Sequence, residues 1–343
     1  MSNIIKELTK HNIHPYGSKE LLKFEKNMEK YFSREYDRWQ GNKALPEDYG
    51  ISSFEGDIAK KETHIQSIDH YNNEFKIYQA FLDKKYMAYT MGYYITHENF
   101  HIDPATSLGD AQINKFNLII ERAEIKDGQS ILEMGCGFGG FSKYLLEKFP
   151  NITITAINPS FLQTEHLKAD GNRFTLIKKY FDDITEHDIS SDSFDRVISI
   201  GVLEAVTNLD KLFKLISRIL KTRGKTFHHF IVSRDTIPQF LNAEDTLMEN
   251  YFPGGHIWPY SEAKRHAKYL KPVKSWYVNG MNYWKTLDVW HQKFWDNIDE
   301  LYPEYLTLEE VDDWNKYFSL CKTMFSPNGG ESYGNGHYLY EKE

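Results

Sequence analysis

Between about residues 110 and 235, five short apolar runs alternate with stretches of helical periodicity, and this alternation limits the chain to very few folds. The runs are QSILEMG (129–135), ITITAIN (152–158), FTLIKKY (174–180), DRVISIG (195–201) and KTFHHFIV (225–232). Between them, residues 139–148 and 209–220 read as helices; the latter, LDKLFKLISRIL, places apolar residues three and four apart. Strands that alternate with helices pair in parallel, because a parallel neighbour is reached only through a crossover. The expectation is an α/β, doubly wound sheet whose ligand sits beyond the carboxyl ends of its strands.

The flanks divide the rest. Residues 1–105 are read as an N-terminal helical region, 106–235 as the sheet core and 236–343 as an aromatic cap closing on a final strand, GHYLYEK. In 20–39, Leu21, Phe24, Met28, Phe32 and Trp39 fall near helical spacing between charges; 40–70 reads as loop and 71–88 as helix again. Residues 251–343 hold 21 of the chain's 52 aromatic residues and six of its seven tryptophans. Disordered segments are poor in aromatics, so this third is folded.

Charge and cysteine usage remove several classes. A net charge of −8 without a basic run argues against nucleic acid or an anionic bilayer as the main partner. The two cysteines, Cys136 and Cys321, suit a reducing compartment. The opening residues show no apolar signal core, and no run of 18 apolar residues occurs, so a cytoplasmic chain without membrane insertion is expected. No metal is expected, and a homodimer is left open.

Directly after the first strand comes Glu133-Met134-Gly135-Cys136-Gly137-Phe138-Gly139-Gly140. Glycines there let the backbone turn tightly and approach a ligand, and the following helix offers free amides. A dinucleotide fold would place an acidic residue at the end of the second strand, where this chain has Asn158-Pro159-Ser160. A carboxylate pair, Asp182-Asp183, follows the third strand. The loop resembles that of S-adenosylmethionine-dependent methyltransferases, in which an acidic residue stands two before the first glycine, as Glu133 does. That resemblance makes Asp183 the expected adenine contact.

Further segments narrow the likeness. They are His70–Phe75, Tyr86–Tyr94, Ser107–Gln112, Val202–Val206, His228-His229, Tyr251–Gly255 and Asn282–Leu287. In that order they resemble the cyclopropane fatty acid synthase and coclaurine N-methyltransferase family over roughly residues 65–343. The resemblance implies a Rossmann-like class I methyltransferase fold and S-adenosyl-L-methionine as cofactor, with S-adenosyl-L-homocysteine as product. It places Tyr89 and Thr90 at the methionine end of the cofactor and Gly135, Gly137 and Gly139 in the glycine loop. Asn158, Gln163, Asp183 and Ile184 complete the expected cofactor set. Glu204, His229 and Tyr283 are the expected catalytic residues. The chain departs from the family at Met91, where a cysteine is usual, and at Ala205, where a histidine follows the glutamate.

His228 and His229 are adjacent in a strand and face opposite ways, so only one reaches the site; the resemblance selects His229, with His228 packed beneath a helix. His256, Trp258, Tyr94 and Trp284 are the expected acceptor contacts. The expected activity is N-methylation of a small-molecule amine. The alternative is methyl or methylene transfer to an unsaturated fatty acyl chain. A nicotinamide oxidoreductase, against which Asn158 counts, and an inactive binding module are the readings from other classes.

Overall fold

The computed structural model describes residues 2–40, 57–59, 75–95, 102–169, 172–234, 239–240, 247 and 255–343. Two N-terminal helices, α1 (Asn3–Lys10) and α2 (Lys19–Trp39), and a short α3 (Phe75–Phe81) precede the sheet unit. Both N-terminal helices start on a serine cap: Ser2 and Ser18 accept the amides of Ile5 and Leu21. The helix read at 71–88 is shorter than expected. It stops at Phe81, because the Asp83 carboxylate accepts the amides of Tyr86 and Ala88 and turns the chain into an extended segment. Residues 71–74, like the segments 70–74 and 251–254 of the motif series, lie outside the described residues.

The five expected strands are β1 (Ser130–Met134), β2 (Thr153–Ile157), β3 (Phe174–Ile177), β4 (Phe194–Ile200) and β5 (Leu220–Ser233). They lie in the order β3-β2-β1-β4-β5, all parallel. The order reverses between β1 and β4, which opens a crevice at their carboxyl ends. Two further strands, β6 (Gln239–Phe240) and β7 (His256–Pro259), extend this edge, β7 pairing Val232 and Ser233 beyond the reach of β4. On the other side of β5 lie β8 (Lys271–Asn279) and the final strand β9 (Tyr333–Glu341), both antiparallel pairings.

Helices cover both faces. On one, α4 (Leu108–Arg122) and α5 (Gly140–Lys148) set Phe116, Ile119, Phe141 and Leu145 on Ile131, Ile154, Ile198 and Phe227. On the other, α6 (Leu209–Ile219) sets Leu212, Phe213 and Ile216 on Leu132, Val197, Phe230 and Tyr340. Neighbours such as Ile131 and Leu132 belong to opposite cores, as the pleat demands. Each such side chain contributes roughly 1.5–3 kcal/mol by burial.

A third core lies over the carboxyl ends. There α7 (Met281–Asp296) and α8 (Leu308–Met324) pack with α1 and α3 around Tyr78, Phe81, Trp290, Phe294, Trp314 and Phe318. Most of the C-terminal aromatics are accounted for by this packing. No helix among the described residues is long and apolar enough to cross a membrane.

Candidate active site

The turn after β1 forms one wall of a cavity at the switch point. Gly137 has φ +53°, and a Cβ built there would meet nothing within 4 Å, so the backbone borders open space that a side chain would fill. The amides at the start of α5 close the same end. Tyr89, Thr90, Glu133, Gly135, Asn158 and Gln163 also line this cavity. Asn158 Nδ2 donates to Gly137 O at 3.2 Å and to Gln163 Oε1 at 2.9 Å, tying the ends of β1 and β2 together. Glu133 is buried, accepts the Ser142 hydroxyl, and is pushed up to about 7 by burial.

Three expected cofactor residues stand elsewhere. Gly139 caps α5, but Leu167 packs against the side on which a Cβ would lie, and the residue does not border the cavity. Asp183 is exposed on a short turn, and Phe181 lines the cavity in its place. Ile184 is buried in the core beneath α6. Asp182 points away as well: its carboxylate accepts the amides of Ile58 and Ala59 and the Lys211 ammonium.

A second cavity meets the first, with Tyr89, Thr90 and Gly201 bordering both. Gly201 permits this close approach, since a Cβ there would lie 2.6 Å from Thr90 Cγ2 and its φ is +68°. The second cavity is built mainly from two helical stripes. Tyr283, Leu287 and Trp290 present one face of α7, and Tyr317, Leu320, Cys321 and Met324 one face of α8. Phe32 of α2 and Phe325, which stacks on Tyr283 at 4.5 Å, complete the apolar wall. His256 lines it too, with Nδ1 placed 3.1 Å from the Glu204 carbonyl.

Glu204 is the one carboxylate among the described residues lining this second cavity. It sits in a short 3-10 turn just past β4, 4 % exposed. Oε1 accepts the Ile231 amide at 2.8 Å, while Oε2 is buried with no hydrogen-bond partner among the described residues. Burial pushes its proton affinity up to about 7. A buried carboxylate oxygen left open in an aromatic cavity is a place for a donor.

The remaining expectations divide. His228 packs as expected, against Phe213 of α6 and between the Ser199 and Thr226 hydroxyls. His229 does not reach either cavity. Its Nδ1 lies 2.6 Å from His337 Nε2 and its Nε2 is 3.2 Å from Asn335, because the antiparallel register of β5 and β9 sets His337 directly beside it on the same face of the sheet. Trp258 is fully buried in the sheet core, its indole donating to Leu203 O. Tyr94 is buried where its segment docks on a third stripe of α7: the amides of Gly92 and Tyr94 donate to Thr286 and Asn282. Trp284 lies on the stripe with Asp288, facing the Lys322 ammonium at 5.8 Å. Two residues not singled out for the site from the sequence stand here: Phe32 lines the second cavity, and Lys115 is buried behind Thr90. Lys115 sits in register with Leu108, Ala111, Gln112 and Ile119 on the buried stripe of α4, and that spacing was the available signal.

A reversing parallel sheet, a glycine cradle at its switch point and a second cavity opening onto it define a class I S-adenosylmethionine-dependent methyltransferase. The family described as mycolic acid cyclopropane synthetase matches residues 59–331. The chain belongs to that family. Its relatives include an (S)-coclaurine N-methyltransferase of Papaver somniferum, 27% identical over 294 residues, covering 79% of this chain and 81% of the relative. Another is a cyclopropane-fatty-acyl-phospholipid synthase of Escherichia coli (strain K12), 27% identical over 255 residues, covering 72% of this chain and 61% of the relative. Among solved structures, a coclaurine N-methyltransferase bound to N-methylheliamine and SAH matches with TM-score 0.81 and 21% identity, over 99% of this chain and 100% of that one. The cyclopropane synthase MmaA2 of Mycobacterium tuberculosis matches with TM-score 0.67 and 17% identity, over 84% and 100%. The chain is thus a methyltransferase that uses S-adenosyl-L-methionine.

Proposed function

We propose that the chain N-methylates a small-molecule amine carried on an apolar, aromatic-sized body. The observation that carries this reading is the open Oε2 of Glu204 inside an otherwise apolar cavity that meets the cofactor cavity at Tyr89, Thr90 and Gly201. The cofactor, when bound, supplies a sulfonium methyl group whose C–S bond breaks as the acceptor nitrogen forms a C–N bond.

The chain's residues supply placement and proton transfer. Glu204 Oε2 accepts an N–H of the incoming amine and fixes the nitrogen near the shared wall. With raised proton affinity, its carboxylate is a better base than a solvated one, and it takes the proton that an ammonium must lose before it can attack. The faces of Tyr283 and Trp290 stabilise the cationic acceptor by roughly 0.5–2 kcal/mol each. Tyr89, Thr90, Gly135, Gly137, Asn158 and Gln163 are assigned to the cofactor, and His256 to the acceptor.

The acyl-chain alternative loses support at His229. Both readings placed the imidazole at the reacting end, whereas here it is bonded to His337 and Asn335, so the amine reading rests on Glu204 without it. Incubation with methyl-labelled cofactor, a panel of hydrophobic amines and unsaturated phospholipid vesicles tests the proposal. Label recovered on amine nitrogen is expected; label confined to acyl chains would overturn it.

A further inference from the structure

Lys115 is a lysine in the wrong surroundings. It is fully buried on α4, and its Nζ hydrogen bonds among the described residues are to Thr90 Oγ1 at 2.6 Å and Gln112 Oε1 at 2.5 Å. Neither partner is a carboxylate. The face of Phe116, at 4.9 Å, is the further support for a positive charge. An ammonium has three donors and meets two acceptors here, while a neutral amine has two donors and is satisfied by both. Burial accordingly pushes Lys115 down to about 7.

Its position gives that lability a consequence. Thr90, whose hydroxyl takes the Lys115 hydrogen bond, borders both cavities, so Nζ lies one hydroxyl behind the wall where donor and acceptor meet. Gln112 also donates to Thr90 O at 2.9 Å, so one turn of α4 grips that residue through backbone and side chain. Charged and titratable groups face Lys115 from several elements. Asp83 after α3 and Glu133 of β1 raise its proton affinity. His229 of β5 and His337 of β9 lie well below the usual histidine range and are neutral near pH 7.

We propose that Lys115 is a proton-linked counter-charge to the cofactor: its side chain is neutral while the sulfonium occupies the cavity and regains a proton once the methyl group has left. Two cations on either side of one threonine repel each other in a cavity of low polarity. Deprotonating Lys115 removes that repulsion at little cost, since no ion pair is broken. Methyl transfer moves the positive charge from sulfur to the acceptor nitrogen, leaving a neutral thioether beside Thr90. Lys115 Nζ then forms its third N–H bond with a proton taken from solvent, which receives in exchange the proton that Glu204 took from the acceptor ammonium before the attack.

S-adenosylmethionine and S-adenosylhomocysteine differ in charge at the sulfur alone, so comparing them isolates the effect. Titration calorimetry near pH 7 in two buffers of different ionisation enthalpy reads the protons released by each. More protons should leave with S-adenosylmethionine, and its affinity relative to S-adenosylhomocysteine should rise about tenfold between pH 6 and 8. Lys115→Met should abolish both differences while still binding the two ligands. Should that variant not fold, Lys115→Arg, whose charge is permanent, should weaken S-adenosylmethionine selectively at every pH. Equal proton release by the two ligands, a wild-type difference in Lys115→Met, or equal binding of both ligands by Lys115→Arg would overturn the proposal. Glu133→Gln should retain the difference with its midpoint moved to lower pH, since Glu133 raises the proton affinity of Lys115; loss of the difference at every pH would assign the proton to Glu133 instead.

Discussion

Glu204 holds one hydrogen bond where an ionised carboxylate can accept about four, and that deficit is its chemical value. Glu204→Gln keeps an acceptor for the Ile231 amide, so the fold should survive. Turnover should fall at least a hundredfold, while S-adenosylhomocysteine affinity, read by calorimetry, stays within about twofold. A parallel loss of affinity would assign the residue a structural role. The pH dependence has a definite sign. Glu204 is protonated below about 7 and can accept a proton only above it, so turnover at saturating cofactor should rise with pH through that value. Glu204→Gln should lack this limb. The glutamate was legible because its position just past a strand end is a local property. His229 was expected at the reacting end and stands against His337 instead, because alternation tells which face a side chain takes, not which neighbour it meets there. Lys115 was overlooked because a lysine between apolar positions reads as surface until the whole stripe is seen to be buried.

At the scale of elements, the turn between β1 and α5 separates ligand recognition from folding. Gly137 borders space, so Gly137→Ala costs only the left-handed backbone conformation, about 1–2 kcal/mol. The added methyl group enters the cofactor cavity. A melting temperature lowered by only a few degrees, with cofactor affinity reduced at least tenfold, is the expected pair of results. A large fall in melting temperature with unchanged affinity would mean the turn serves the fold alone. The five parallel strands were readable because each is a short apolar run bounded by turn residues. β8 was not: KPVKSWYVN carries two lysines, and it is a strand because β9 offers it a full edge. The stripes of α7 show the same limit. Helical spacing alone could not say that Tyr283 faces a cavity while Trp284 faces an ion cluster.

Across the whole molecule, the N-terminal helix is fastened to the cap by buried charge. Lys322 of α8 lies 2.8 Å from Glu25 of α2 and 3.2 Å from Asp288 of α7, and Tyr16 also donates to Asp288. At the far end of α2, the Tyr36 hydroxyl donates to Arg234 O at 2.7 Å. Phe32, between these anchors, lines the second cavity, to which the acceptor is assigned in the proposed function. Lys322→Met removes the ammonium shared by two carboxylates that are 11% and 13% exposed, and should cost about 3 kcal/mol in denaturant unfolding. It should also raise the acceptor KM more than the cofactor KM, because α2 borders only the acceptor cavity. Equal changes in both constants would show that α2 does not shape acceptor binding separately.

The two cavities share only Tyr89, Thr90 and Gly201 among the described residues, and this narrow junction bears on how such a chain can change over time. Leu320, Cys321 and Met324 border the second cavity alone, the one proposed for the acceptor. Single replacements along that stripe would reshape selectivity while leaving the methyl donor's seat intact. Inheritance of the donor and exchange of the acceptor are therefore separable, and one scaffold can move between unlike substrates without passing through an inactive ancestor.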